Sequence, residues 1–196
     1  MSEPSKPSLR NFAFFVMLLC GLAAATPSAQ FGQFRKRRPS RDYSNPDRGS
    51  ELRHLFPRAA SFSPLGGTPP HMTAYAAAPG TATEAPLLGY AFWTTDLVPR
   101  EIGYHGPIRM LVGMTSAGIL TGIVVDSDSE PYGYFSVETP RFAAQFAGKS
   151  IRDNFRVGVD VDAVSRASIS ISSATRAIRD SSRMVARALL NPSDVK

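Results

Sequence analysis

Residues 160–173, DVDAVSRASISISS, run two carboxylates and a cluster of hydroxyls straight into a helical apolar repeat. Ile171, Ala174, Ile178, Val185 and Leu189 recur at helical spacing, so one stripe of a long helix must be buried and the chain has to supply a surface that covers it. Arg176, Arg179, Arg183 and Arg187 fall on the opposite face. Ahead of the helix stand Asp160 and Asp162, then Ser165, Arg166, Ala167, Ser168, Ile169 and Ser170. Serines at such a place read first as N-caps, because their oxygens satisfy the orphan amides of the first turn. The same amides suit a phosphate, and a hydroxyl held beside them can carry a phosphoester.

A chain of 196 residues has room for one globular domain plus an appendage. Its single cysteine, Cys20, lies in an apolar N-terminal run. Disulfides, cysteine-ligated zinc and iron–sulfur clusters are therefore excluded within this chain. The net charge of +6 raises nucleic acid as a partner. Much of it sits in one run, Arg35, Lys36, Arg37 and Arg38, with no helix-turn-helix, finger or RNA-binding signature beside it, so nucleic acid is rejected.

Lys6 and Arg10 precede residues 12–25, FAFFVMLLCGLAAA, which small residues follow. Residues 1–29 read as a secretory signal peptide, with a retained membrane anchor as the alternative. Residues 30–50 form a basic, turn-rich linker whose cations suit anionic headgroups or an acidic surface, or simply keep a tether solvated. Residues 51–190 form the folded domain and residues 191–196 a tail. Within the domain, 51–56 predict a short helix stopped by Pro57, 61–70 a loop, 71–77 a strand and 79–86 a turn region. Residues 87–95, LLGYAFWTT, predict a long strand. Segments 107–115 and 119–127 predict a hairpin turning at Ser116, Ala117 and Gly118. On it Ile108, Met110, Val112 and Met114 share one face, as do Ile119, Ile123 and Val125. A helix over 141–146 closed by Gly148 and a strand near 155–161 complete an α+β domain, a single antiparallel sheet with packed helices.

The run from Asp162 resembles the attachment motif of the FMN-binding domains of NosR/NirI-type regulators and of the flavin subunits of Rnf and Na+-translocating quinone reductase complexes. Their pattern is Asp, two variable residues, Ser or Thr, Gly, Ala and Thr, with the last hydroxyl esterified to the FMN phosphate. Asp162, Ser165 and Ala167 match; Arg166 stands where the family has Gly and Ser168 where it has Thr. The resemblance extends over residues 52–187, through Leu55-Phe56-Pro57, Gly89-Tyr90-Ala91-Phe92, Gly103-Tyr104-His105-Gly106-Pro107-Ile108, the Gly113 and Gly118 hairpin, and Phe142 to Lys149.

The resemblance implies FMN as cofactor, with its phosphate near Ser168 and the start of the last helix. It gives Ser165, Arg166, Ala167 and Asp162 as further cofactor-binding residues, Asp162 being the motif aspartate suited to flavin transfer or else an Asx-turn residue. It also implies an electron-transfer or redox-sensing role in an exported, periplasmic domain held at the membrane. The partners implied are subunits of a membrane-bound electron-transport complex, together with a flavin transferase if the flavin is esterified. Arg35, Lys36, Arg37 and Arg38 would meet the membrane surface. Tyr104 and His105, between two glycines, are candidates for the flavin ring, because glycine lets a ring approach backbone closely; the alternative is a plain turn with His105 exposed. Trp93 reads as core rather than flavin platform. Lys149 reads as a helix-end cap before a phosphate partner. Asp126, Asp128 and Glu130 lack the glycine and glutamate spacing of a calcium loop and read as an acidic rim.

No nucleophile elbow, zinc-protease, P-loop or dinucleotide motif appears, and His54, His71 and His105 lack ligand spacing. A self-contained hydrolase is not expected. The competing reading is a structural or assembly subunit that keeps the flavodomain fold without flavin and docks through its arginine stripe.

Overall fold

A computed structural model of the chain describes residues 49–77, 85–193 and 195. The expected signal segment and most of the basic linker, together with most of the 79–86 turn region, lie outside the described residues. Among those described, no helix is long and apolar enough to cross a membrane.

The centre is a five-stranded antiparallel meander in chain order: β1 (Ser61–Phe62), β2 (Met72–Tyr75), β3 (Leu87–Trp93), β4 (Arg109–Thr115) and β5 (Leu120–Ser127). Helices α1 (Gly49–Leu55), α2 (Thr94–Leu97), α3 (Pro140–Ala144) and α4 (Ser168–Leu189) complete it. The expected α+β class holds. The strand pleat sends alternate residues to opposite faces, and both faces of the sheet are covered. Ile108, Met110, Val112 and Met114 join Phe92 and the α4 residues Ile171, Ala174, Ile178 and Val185 in the main core, as the periodicity requires. Leu111, Ala91 and Trp93 face the other way and meet Leu52, Leu55 and Phe56 at α1. Trp93 is thus core.

Directly opposed glycines explain how α1 seats. Gly113 pairs with Gly122 across the β4–β5 ladder. A Cβ on Gly113 would stand 3.1 Å from Leu55 Cβ, and one on Gly122 would stand 3.4 Å from Leu55 Cδ2. The bare backbone there is a dent in the sheet that Leu55 fills.

The 22-residue α4 lies on the sheet through small residues. Ser170, Ser173, Ala174, Ala177, Ser181 and Ser182 are all buried. Hydroxyls in such a place are costly unless bonded. Ser181 Oγ and Ser182 Oγ donate to the Ala177 and Ile178 carbonyls at 2.6 and 2.7 Å, a turn back along the helix.

Four expectations shift. The strand over 87–95 ends at Trp93, because the Thr94 side chain bonds β4, donating to Ile108 O at 3.2 Å and accepting from Met110 N at 3.1 Å, and α2 begins. The loop over 61–70 opens with the edge strand β1. In β5 the register slips opposite Gly113 and Met114. One extra residue reverses the alternation, so Leu120 enters the core in place of Ile119. Segment 155–161 is a closed turn rather than a strand. The Asp160 carboxylate accepts from the Phe155 and Arg156 amides at 3.0 and 2.5 Å, which takes the donors a sheet partner would need.

Ile178 is fully buried where α4 meets the sheet. Ile178→Ala should lower unfolding free energy by about 3 kcal/mol, read as a drop in the denaturant midpoint at unchanged slope.

Candidate functional site

Arg166 and Ala167 set the start of α4. Arg166 stands at φ 66, in the left-handed region that glycine enters freely and other residues enter at a cost. Ala167 is the residue flanking the helix, and no side chain caps it. The expected serine cap is therefore absent. Ile171 N is the first amide to find a helical acceptor, Ala167 O at 2.9 Å, and the amides of Ser168, Ile169 and Ser170 have no acceptor among the described residues. They point out of the helix where its dipole is positive. Ser165, Arg166 and Ser168 are exposed around them, and Ala167 is buried. These four consecutive sequence-predicted residues thus make up one helix start, where Ser165, Arg166 and Ser168 are exposed and the first-turn amides have no acceptor among the described residues.

Tyr104 and His105 reach the same place by a different route. Their loop is closed by Gly103 N donating to Gly106 O at 2.8 Å. The amides of Tyr104, His105 and Gly106 donate to the Glu130 carboxylate at 3.0, 2.8 and 3.3 Å. Ser170 Oγ, in the first turn of α4, donates to Glu130 Oε2, the same oxygen that accepts from the Tyr104 amide. Glu130 is therefore the joint between the aromatic loop and the helix start, and at 7% exposure it is no acidic rim. The glycines serve this joint. A Cβ at Gly103 would lie 2.6 Å from Glu130 Oε1, and one at Gly106 would lie 2.8 Å from Ser129 Oγ. Tyr104 and His105 are exposed, with rings stacked at 6.2 Å and 27°.

Asp162 is engaged elsewhere. Its carboxylate accepts from Arg141 Nε and Nη2 at 3.1 and 2.7 Å, and its amide donates to Gln145 Oε1 at 2.6 Å. It ties the loop before α4 to α3. Lys149 neither caps a helix nor faces the helix start. Its Nζ donates to Asp160 Oδ2 at 3.1 Å. Partial burial pushes the Asp160 carboxyl up, but the Arg156 amide, Lys149 and the Phe155 amide outweigh it, and the group titrates below the usual carboxylate range. Among the described residues, no cluster of acidic, histidine or cysteine side chains could hold a metal.

Glu130 and Gln145 are the residues that sequence reasoning missed. The signal for Glu130 was the glycine pair: two glycines three apart ask what approaches their backbone, and a carboxylate is one answer.

Residues 103–183 match the family model of the FMN-binding domain, which indicates FMN as the cofactor. The match begins at Gly103 and ends at Arg183, so it contains the aromatic loop, Glu130 and the helix start. Comparison with the curated proteins finds no match to the chain. The residues present fit the group: acceptor-free amides, a guanidinium without a partner among the described residues and an exposed hydroxyl suit its phosphate, and exposed stacked rings suit its aromatic part.

Glu130→Gln should lose about 2 kcal/mol of stability, measured by chemical denaturation, and should lower flavin retention as the aromatic loop loosens. Since Asp160 is depressed in the folded state, its contribution is complete above the ordinary carboxylate value and is lost as pH falls below it. Asp160→Asn should therefore destabilise at neutral pH by an amount that shrinks toward pH 3, read from denaturant midpoints across that range.

Proposed function

We propose that the FMN-binding domain at residues 103–183 is an electron relay of an exported, membrane-associated protein, with its flavin phosphate held at the start of α4. The observation that carries this is the helix start, where the first-turn amides have no acceptor among the described residues and the adjoining residues Arg166 and Ser168 are exposed. FMN, when bound, supplies reversible redox chemistry in steps of one or two electrons. The chain's own task is to hold it. In this reading the first-turn amides and Arg166 meet the phosphate, Ser165 adds a hydroxyl, and Ser168 is the hydroxyl that would take a phosphoester. Tyr104 and His105 offer aromatic faces and ring donors to the flavin ring, and Glu130 fixes them relative to the helix.

Arg166 does not spoil this loop. It adopts the left-handed conformation a glycine would take there, so the backbone path is kept and a cation is added. Export and membrane placement rest on the apolar run 12–25 and on Arg35, Lys36, Arg37 and Arg38. Electrons would come from and go to subunits of a membrane-bound complex, since no other redox centre is built from this chain's single cysteine. A flavin transferase is the further partner if the flavin is esterified.

The test is the intact mass and visible spectrum of the protein purified from its own host membranes. A mass gain of FMN less one water, with yellow colour that survives denaturation and vanishes in Ser168→Ala, is the expected outcome. Colour without added mass would remove the ester and keep the relay. A colourless, unmodified chain would overturn both. Arg166→Gly should raise the stability of the flavin-free protein by about 1 kcal/mol, the strain relieved at a positive φ, and at the same time weaken FMN binding.

A further inference from the structure

The far end of α4 carries arginines that the flavin site does not use. Arg183 Nε and Nη2 donate to the carbonyls of Ile151 and Asp153 at 2.9 and 2.8 Å, so its charge meets no carboxylate there. Arg187 on α4 and Arg152 on a separate turn are exposed and have no ion-pair partner among the described residues. By contrast, Arg176 and Arg179 are neutralised by Glu101 and Asp180 at 2.6 and 2.7 Å. A helix C-terminus favours cations, which accounts for Arg187 but not for Arg152, whose segment lies outside the helix.

These three arginines rim one open groove of about 430 Å³ whose floor is apolar, with Ile151, Leu190 and Val195 among its lining. A second groove of about 440 Å³ shares Arg183 and Arg187 and is lined as well by Met184, which is 40% exposed, and by the ion pair of Arg179 with Asp180, which leaves Arg183 and Arg187 as its unneutralised cations. Cations over an apolar floor match a molecule that is anionic at one end and apolar at the other. A phospholipid has this order, with its phosphate meeting guanidinium groups and its chain meeting the floor. The grooves also lie well away from the flavin phosphate. Arg187 is about 28 Å along the helix axis from Ser168 at the ordinary rise per residue, so occupation of this end leaves the other free.

We propose that the C-terminal end of α4, with Arg152, Arg183 and Arg187, is a second membrane contact that seats the folded domain on anionic phospholipid. It is independent of flavin binding and of the N-terminal segment. In the test the full chain carries Met184→Trp, whose indole reports on the groove because Trp93 is 1% exposed and buried in the core. The chain is mixed with vesicles of phosphatidylcholine bearing brominated acyl chains, with and without phosphatidylglycerol.

The expected result is quenching of the new indole that requires phosphatidylglycerol and declines as salt is raised. Arg152→Gln and Arg187→Gln, which break no intramolecular bond of those side chains, should each weaken it about five-fold. Arg35, Lys36, Arg37 and Arg38 replaced together by Gln should leave the quenching at saturating lipid in place. Absence of quenching while the chain still sediments with vesicles would overturn the proposal. So would equal quenching without phosphatidylglycerol, or quenching indifferent to Arg152 and Arg187. An arginine-dependent response to polyglutamate in place of vesicles would assign the grooves to an acidic protein and overturn the lipid assignment. Flavin content, read from the visible spectrum, separates this outcome from any failure at Ser168.

Discussion

The Glu130 carboxylate holds the two halves of the site together. Three loop amides and the Ser170 hydroxyl converge on it, close to the number of lone-pair directions an ionised carboxylate offers. A buried carboxylate that lacked such donors would be expensive. Here every donor comes from a segment that needs an acceptor, so burial and satisfaction are solved together. The glycines at 103 and 106 follow from this, since the carboxylate and Ser129 occupy the volume a side chain would take.

The same accounting bears on why the start of α4 would suit an anion, as proposed, although carboxylates stand around it. Asp162 is paired with Arg141, Asp160 with Lys149, and Glu130 is saturated by hydrogen bonds. Arg166 faces no such partner among the described residues, and the first-turn amides have no acceptor there. Among the described residues the charged and dipolar groups left over at the helix start are the Arg166 guanidinium and the first-turn amides, which are donors. Their field belongs to the fold and would be present in each copy of the chain before any flavin arrived.

Much of this was legible in the sequence, for reasons that differ by element. The burial of Ile171, Ala174, Ile178 and Val185 followed from period alone, as did the shared face of Met110, Val112 and Met114. Both are consequences of regular backbone, which sequence spacing reports directly. Ile119 failed because a slip near a glycine pair inverts a strand's faces, and nothing in the pattern LTGIVV marks where the slip falls. The strand expected at 155–161 failed because a carboxylate at Asp160 competes for the same amides. Glu130 was read as surface because acidic residues after a hairpin usually are. Its burial depends on donors supplied about twenty-five residues earlier and forty later, a convergence visible only in three dimensions. Arg166 was the opposite case: its departure from glycine was visible, and its left-handed backbone shows that neighbours on both sides dictate the loop's shape.

The dent made by Gly113 and Gly122 also decides how the domain takes mechanical load. The described chain enters through α1, on the sheet face opposite α4, with Leu55 lodged against bare backbone. Tension applied at Gly49 is therefore delivered first to Leu52, Leu55 and Phe56, a small cluster of its own. It reaches α4 only across the thickness of the sheet, in which β4 is held by strands on both sides. A pull on the leading end can peel α1 away while the loop at 103–106, Glu130 and the head of α4 keep their shape.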